Sequence, residues 1–342
     1  MSGDNSFQPS WYLRNGQIQT ILASIPLRAW GVNPMRTAAR EMIIKTPEGV
    51  RLQGYHSSRG SEISRGLVIL LHGWEGSVDS TYIACTGKAL YQRGYDIFRL
   101  NLRDHGSSHH LNRGIFYAVL LEEVLRAVEQ ISRIGKENPV FLVGFSLGGN
   151  FVLRIARAMQ HTKIDALRHA VAISPVLDPE KATVRIDRQA TIRRYFLKKW
   201  LQSLQIKQGL FPDIYDFSEV FKLRTIMAVT EKMLDKYSGF KSASDYFNAY
   251  SILNDSIDDL PIPTTIITAA DDPIIPVEDF YDLKLNSLTN LIIHAHGGHN
   301  GFIDGFFLKS WYEQKLADLF DEISTEAGRP GGEKVMMLGK NC

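Results

Sequence analysis

PVFLVGFSLGGNFVLRIARAM, residues 139 to 159, changes rhythm at its middle. Up to Phe145 it is a short apolar run of the kind that fills a strand buried on both faces. From Leu147 the apolar positions recur at helical spacing. At the join, Gly144, Phe145, Ser146, Leu147 and Gly148 spell G-x-S-x-G. A sharp strand-to-helix turn needs glycines where side chains would clash, and it lifts the serine hydroxyl above the sheet. The helix N-terminus that follows favours negative charge beside that hydroxyl. Glycine and serine often meet in ordinary turns, so the motif alone means little. Its strand, turn and helix setting is what marks Ser146 as a nucleophile.

The same alternation extends outward. GLVILLHG (66 to 73), YDIFRLNL (95 to 102), HAVAIS (169 to 174), TTIITAAD (264 to 271) and NLIIHAH (290 to 296) are further apolar runs. Residues 81 to 93, 115 to 134, 147 to 160, 277 to 285 and 306 to 323 carry the helical pattern between or after them. The expected fold class is α/β, a mostly parallel, doubly wound sheet with helices on both faces. EMIIKT (41 to 46) and VRLQGYH (50 to 56), either side of Pro47, Glu48 and Gly49, predict an antiparallel hairpin ahead of it. Residues 178 to 259 contain no parallel-strand run and several helix-like segments, so they read as an inserted helical cap. The resulting division is an N-terminal arm (1–36), a core (37–177 and 260–325), the cap, and a Gly-rich polar tail (326–342) expected to be flexible. Within the cap, IRRYFLKKWLQSLQ (192 to 205) places Ile192, Phe196, Trp200, Leu201 and Leu204 on one side and Arg194, Lys198, Gln202 and Gln205 on the other. Packing of the apolar side on the core is the favoured reading, because such stripes are usually core; the alternative is contact with a membrane interface.

A serine hydroxyl is a poor nucleophile until a base takes its proton, and in this kind of fold the order along the chain is serine, acid, histidine. Asp271 and Asp272 end the run TTIITAA. Asp272 is the expected acid, since it opens D-x-apolar-apolar-Pro, and Asp271 is a neighbour suited to capping the loop. His299 is the expected base, on the Gly-rich loop that follows the last strand. His294 and His296 belong to the strand end and are assigned structural roles. Acyl transfer also requires donors for the oxyanion. His72, Gly73 and Trp74 follow the strand GLVILL, so the backbone N–H groups of Trp74 and Leu147 are the expected hole, with the Trp74 side chain a candidate pocket wall. The loop Arg103 to His110 has three histidines but no carboxylate or cysteine at metal-ligand spacing, so it is read as a pocket rim or a support beneath the site.

Composition narrows the partners. With 39 Lys and Arg against 37 Asp and Glu, the net charge of +2 gives no footprint for nucleic acid. Two cysteines, Cys85 and Cys342, supply neither a disulfide framework nor a metal site. No long apolar run suggests a transmembrane segment, and the first residues lack a secretory pattern, so the expected location is cytoplasmic.

FQPSWYLRNGQIQTI (7 to 21), HGWEGS (72 to 77), NLRDHG (101 to 106), VGFSLGGN (143 to 150), AADDPIIP (269 to 276) and HGGHNGFI (296 to 303) together resemble the YheT-like, embryogenesis-associated branch of the α/β-hydrolases. Carried over residue by residue, that resemblance agrees on Ser146, Asp272 and His299. Gln17 departs from it, standing where relatives commonly have histidine, and the role of the arm is left open. The resemblance implies ester hydrolysis, no cofactor, and a small-molecule ester, lipid included, as partner. A short- or medium-chain carboxylesterase is the first expectation. A lipase or phospholipase at a membrane surface, an acyltransferase to an alcohol, and a binding protein without turnover are the alternatives.

Overall fold

A computed structural model of the chain describes residues 7–60, 63–253 and 257–327. Eight strands form one sheet: β1 (Ala39–Lys45), β2 (Arg51–Ser57), β3 (Leu67–Leu71), β4 (Asp96–Leu100), β5 (Val140–Phe145), β6 (Leu167–Ile173), β7 (Thr264–Ala269) and β8 (Thr289–His294). Their order across the sheet is β1-β2-β4-β3-β5-β6-β7-β8. β2 runs antiparallel to both neighbours, and β4 through β8 pair in parallel. The hairpin pairs Ala39 with Ser57 through Lys45 with Arg51, and Gly49 takes a positive φ at its turn.

The two-residue period of a strand explains the double winding. Leu67, Ile69 and Leu71 of β3, with Val140 and Leu142 of β5, point to one face, where they meet Val124 and Val128 of the helix Leu121–Ser132 and Phe151 and Ile155 of the helix Leu147–Ala158. Val68, Leu70, Phe141 and Val143 point to the other, against Ile83 and Leu90 of the helix Thr81–Gln92 and Tyr312, Leu316 and Phe320 of the helix Trp311–Ala327. Each such side chain taken fully from water contributes roughly 1.5–3 kcal/mol. A run apolar at every position is therefore stable only with helices on both sides.

Between β6 and β7 the chain forms the helices Pro179–Arg188, Ala190–Leu210, Ile226–Tyr237 and Ala243–Asn248. Along Ala190–Leu210, Leu197, Leu204 and Lys207 are buried and Ile192, Phe196, Trp200 and Leu201 half-buried, whereas Arg194, Lys198, Gln202 and Gln205 are exposed. The apolar side of this helix thus packs inward. The buried Lys207 was not anticipated.

Three expected helices are shorter than their patterns. Residues 115 to 120 are not helical, because their backbone groups are taken by distant side chains: Phe116 N–H donates to Asp104 Oδ2 at 3.0 Å, Ala118 N–H to Tyr246 Oη at 3.0 Å, and Arg154 donates to Ala118 O at 2.8 Å. The segment near 277–285 keeps one turn, Glu278–Tyr281. The C-terminal helix starts at Trp311, since Ile303–Asp304 and Lys309–Ser310 pair as a small hairpin whose Leu308 carbonyl accepts from Arg28. The tail beyond residue 327 lies outside the described residues.

Candidate active site

Ser146 stands at the join of β5 and the helix Leu147–Ala158, with φ 54° and ψ −116°. Such a backbone is costly for a non-glycine residue, on the order of 1–3 kcal/mol, and persists only where its surroundings impose it. They do so by close approach: a Cβ on Gly148 would run into the carbonyls of Leu71 and His72, and one on Gly144 into the carbonyl of Gly148. Both glycines of the motif are therefore required by packing. Ser146 N–H donates to Ile173 O at 2.9 Å, which fixes the turn to β6.

The expected acid and base come together. His299 Nδ1 lies 2.8 Å from Asp272 Oδ2, and both residues are buried. Because the carboxylate accepts, the ring proton sits on Nδ1, and Nε2 is the nitrogen turned from Asp272. The other Asp272 oxygen accepts from Ile274 N–H at 2.7 Å and Ile275 N–H at 2.9 Å, which explains why D-x-apolar-apolar follows the strand. His299 and Ser146 line the same cavity. Asp271 receives Gly298 N–H at 2.8 Å and so holds the histidine loop. His294 is buried, accepts from Phe7 N–H at 3.3 Å and packs on Trp311 at 4.5 Å. His296 lies 3.6 Å from Asp271.

The turn after β3 is held by two histidines. His72 Nδ1 is 2.8 Å from Gly73 O, and its Nε2 accepts from Leu102 N–H at 3.1 Å. His105 Nδ1 is 2.7 Å from Arg103 O, and its Nε2 accepts from Glu75 N–H at 3.1 Å. Both rings need the neutral form with the proton on Nδ1, and burial lowers both pKa values, that of His72 to about 4. Between them, the Trp74 N–H meets no acceptor among the described residues. Leu147, first residue of its helix, has an N–H outside the intrahelical pattern, and Ser146 makes no side-chain cap. The Trp74 ring stacks on Phe196 at 5.5 Å and meets Trp200 edge-on at 5.1 Å, so it does form a wall.

Two supports were not legible beforehand. The first is the N-terminal arm. Its helix Gly16–Ser24, capped by Asn15, receives His299 N–H on Thr20 Oγ1 at 2.9 Å, and the buried Gln19 bonds both backbone groups of Ile303. Gly16 packs against the Asp271 carbonyl, and Gly298 against the Gly16 carbonyl, with no room for a Cβ at either. The Gln17 side chain donates to Gln189 at 3.4 Å on the surface. The second is the helix Ala190–Leu210. Lys199 donates to Glu75 O at 2.8 Å, and Lys207 to Asp104 Oδ1 at 2.8 Å and to the carbonyls of Asn112 and Gly114 at 2.6 and 3.0 Å. Burial works against both charges of that pair, raising Asp104 to about 6 and lowering Lys207. Burial likewise pushes the Glu75 carboxyl up to about 8, against the pull of Lys199. Nothing in the motif reading foretold these lysines, although a lysine inside an otherwise apolar helical stripe was a signal.

Residues 66–306 match the family model described as the alpha/beta hydrolase fold. The chain belongs to this family. This hydrolase is 26% identical over 328 residues to a candidate esterase of Synechocystis, with 87% of each chain covered. It is 24% identical to the candidate esterase YheT of Escherichia coli, covering 73% of this chain and 75% of that one, and 23% identical to the mouse phospholipase ABHD3, covering 84% and 72%. Among solved structures, it superposes on an esterase of Pyrococcus furiosus with a TM-score of 0.56 at 19% identity, covering 86% of this chain and 93% of that one. A Pyrobaculum calidifontis esterase gives 0.55 at 13% identity, with 91% of each chain covered. These structural likenesses concern the fold. Among the described residues, no helix is long and apolar enough to cross a membrane, and no group of His, Cys, Asp and Glu is arranged to hold a metal ion.

Proposed function

We propose that this hydrolase is a serine carboxylesterase with Ser146 as nucleophile, His299 as base and then acid, and Asp272 holding the histidine. The observation that carries the reading is the 2.8 Å bond between His299 Nδ1 and Asp272, made at the rim of the cavity that Ser146 also lines. His299 Nε2 takes the Ser146 proton as Oγ attacks the ester carbonyl. The N–H groups of Trp74 and Leu147 receive the oxyanion. Collapse expels the alcohol, which takes the proton from His299, and leaves an acyl-serine. Water, giving its proton to His299, then releases the acid. In this scheme 37–177 and 260–325 supply the chemistry, 178–259 is a cap over it, and the arm, 1–36, braces the histidine loop.

Hydrolysis of p-nitrophenyl esters from acetate to palmitate, with fluorophosphonate labelling, by wild type and Ser146→Ala tests this. Turnover and labelling by wild type and neither by the variant support the reading. Labelling without turnover means a different acyl substrate; no labelling overturns the assignment of Ser146. Added alcohol in the assay separates hydrolysis from acyl transfer. A second reading, action on a lipid at a membrane surface, is favoured by the exposed Trp11, Trp30, Phe306 and Phe307. Activity rising sharply at a substrate's micellar threshold would select it.

A further inference from the structure

Two cavities meet at Ser146, and they are unequal. One, of about 120 Å³, runs under the helices between β6 and β7; the other, of about 640 Å³, opens along the N-terminal arm. Trp74, Glu75, Phe196 and Ile274 line both and form the partition. Both walls are mostly apolar, with Leu204, Met233 and Phe247 beside Ser203 and Thr230 in the smaller cavity and Ile21, Ile25 and Ile192 beside Thr20 and Ser24 in the larger, so the difference between them is one of size.

The position of His299 tells which end of an ester enters which cavity. It lines the larger cavity and not the smaller. On the reading proposed above, the same imidazole must protonate the departing oxygen, so the alcohol lies on its side. The acyl chain, attached to the same carbon, is left the direction past Leu147, which lines only the smaller cavity. That cavity has a fixed wall: Ser203 hydrogen-bonds His109 at 2.8 Å and Lys207 is tied to Asp104, so both polar side chains that line it from the helix Ala190–Leu210 are already engaged.

We infer that this esterase is built for a short acyl group, seated in the smaller cavity, on a bulky alcohol that lies along the arm. A cavity near 150 Å³ takes one benzene ring, so roughly four to six acyl carbons fit here. Met233 and Ala182 then set the acyl limit, and Ile192, which lines only the larger cavity, sets tolerance for the alcohol. The inference rests on the esterase reading but can fail while that reading stands.

Two substrate series test it on the full-length protein: p-nitrophenyl esters of increasing acyl length, and butyrate esters of increasingly large alcohols. Wild-type kcat/KM is expected to peak at butyrate to hexanoate and to fall about tenfold or more by decanoate, because methylenes without a pocket lose their contribution. The larger alcohols are expected to be accepted without such a loss. Met233→Ala should move the acyl optimum to longer chains and Ala182→Leu to acetate, while Ile192→Trp should penalise the larger alcohols and leave the acyl order unchanged. Folding of each variant is checked by its melting curve, and the opposed directions of Met233→Ala and Ala182→Leu separate pocket shape from general damage. An optimum at decanoate or beyond overturns the inference, as does an acyl profile that responds to Ile192→Trp but not to Met233→Ala or Ala182→Leu. Absence of both turnover and fluorophosphonate labelling overturns the esterase reading and the inference with it.

Discussion

The floor and the roof of this site are held by different means. On the floor, Ser146, Asp272 and His299 project from turns at the ends of β5, β7 and β8, and the groups that fix them are mostly backbone atoms close by: Ile274 and Ile275 N–H on Asp272, Ile173 O on Ser146. The roof, the helices between β6 and β7, meets the floor through a few long side chains, Lys199 on the Glu75 carbonyl and Lys207 on Asp104 and the carbonyls around it. Geometry made by backbone turns is stiff and local. Geometry made by lysines reaching across about a hundred residues depends on how two units dock, and one substitution is enough to loosen it. On the function proposed above, the floor carries the reaction and the roof the choice of substrate.

Changes on the floor should break catalysis without unfolding the protein. Ser146→Ala is expected to lower kcat by about 10⁶-fold, and Asp272→Asn by about 10⁴-fold, since asparagine cannot hold His299 in the required tautomer. Both should melt near the wild-type temperature, and steady-state kinetics beside a melting curve checks the pair. If Asp272→Asn retains most of its activity, the acid has been assigned to the wrong residue.

A change in the roof should show the reverse balance. Lys207→Met leaves Asp104 buried without its cation, which costs about 3 kcal/mol or more. Urea unfolding should register that loss, and Lys207→Met combined with Asp104→Asn should recover part of it. A single variant as stable as wild type would show that neither the ion pair nor the carbonyl contacts of Lys207 hold the roof.

The arm is a smaller lever. Thr20→Val removes the acceptor of His299 N–H, a bond with a net contribution of about 1 kcal/mol. A fall of about fivefold in kcat is expected with KM little changed. An unchanged kcat would show that Gly16 and Gln19 suffice to hold the loop.

The last lever is pH. Burial raises the Glu75 carboxyl in the folded state to about 8, above its ordinary value near 4.5. The folded protein then holds that proton more tightly than the unfolded chain. This contribution to stability is complete below about 4.5 and is lost as pH rises through about 8. Glu75→Gln cannot ionise, so its melting temperature minus that of wild type should grow between pH 5 and pH 8 and level off above. A constant difference would mean that Lys199 keeps Glu75 ionised throughout.

How much of this was legible in the sequence follows the same division. The parallel sheet could be read because Leu67–Leu71 and Val140–Phe145 are apolar at every position, a pattern that requires cover on both faces. The Ser146 turn, the acid at the end of β7 and the histidine on a glycine-rich loop could be read because each needs particular residue types within a few positions of one another. The shortened helix at Leu121 could not, since residues 115 to 120 keep helical spacing but give their backbone groups to Asp104, Tyr246 and Arg154. Nor could the partnership of Thr20 with His299, which spans 279 residues.

The sequence alone determined the layering of the chain and the order in which Ser146, Asp272 and His299, the proposed nucleophile, acid and base, follow one another, because strand periodicity and turn chemistry are local. Only the tertiary structure decided that the arm braces the histidine loop, that Lys199 and Lys207 tie down the roof, and that a small cavity and a larger one share Ser146. Those features arise where distant segments exclude the same water, and no local pattern records which segments will meet.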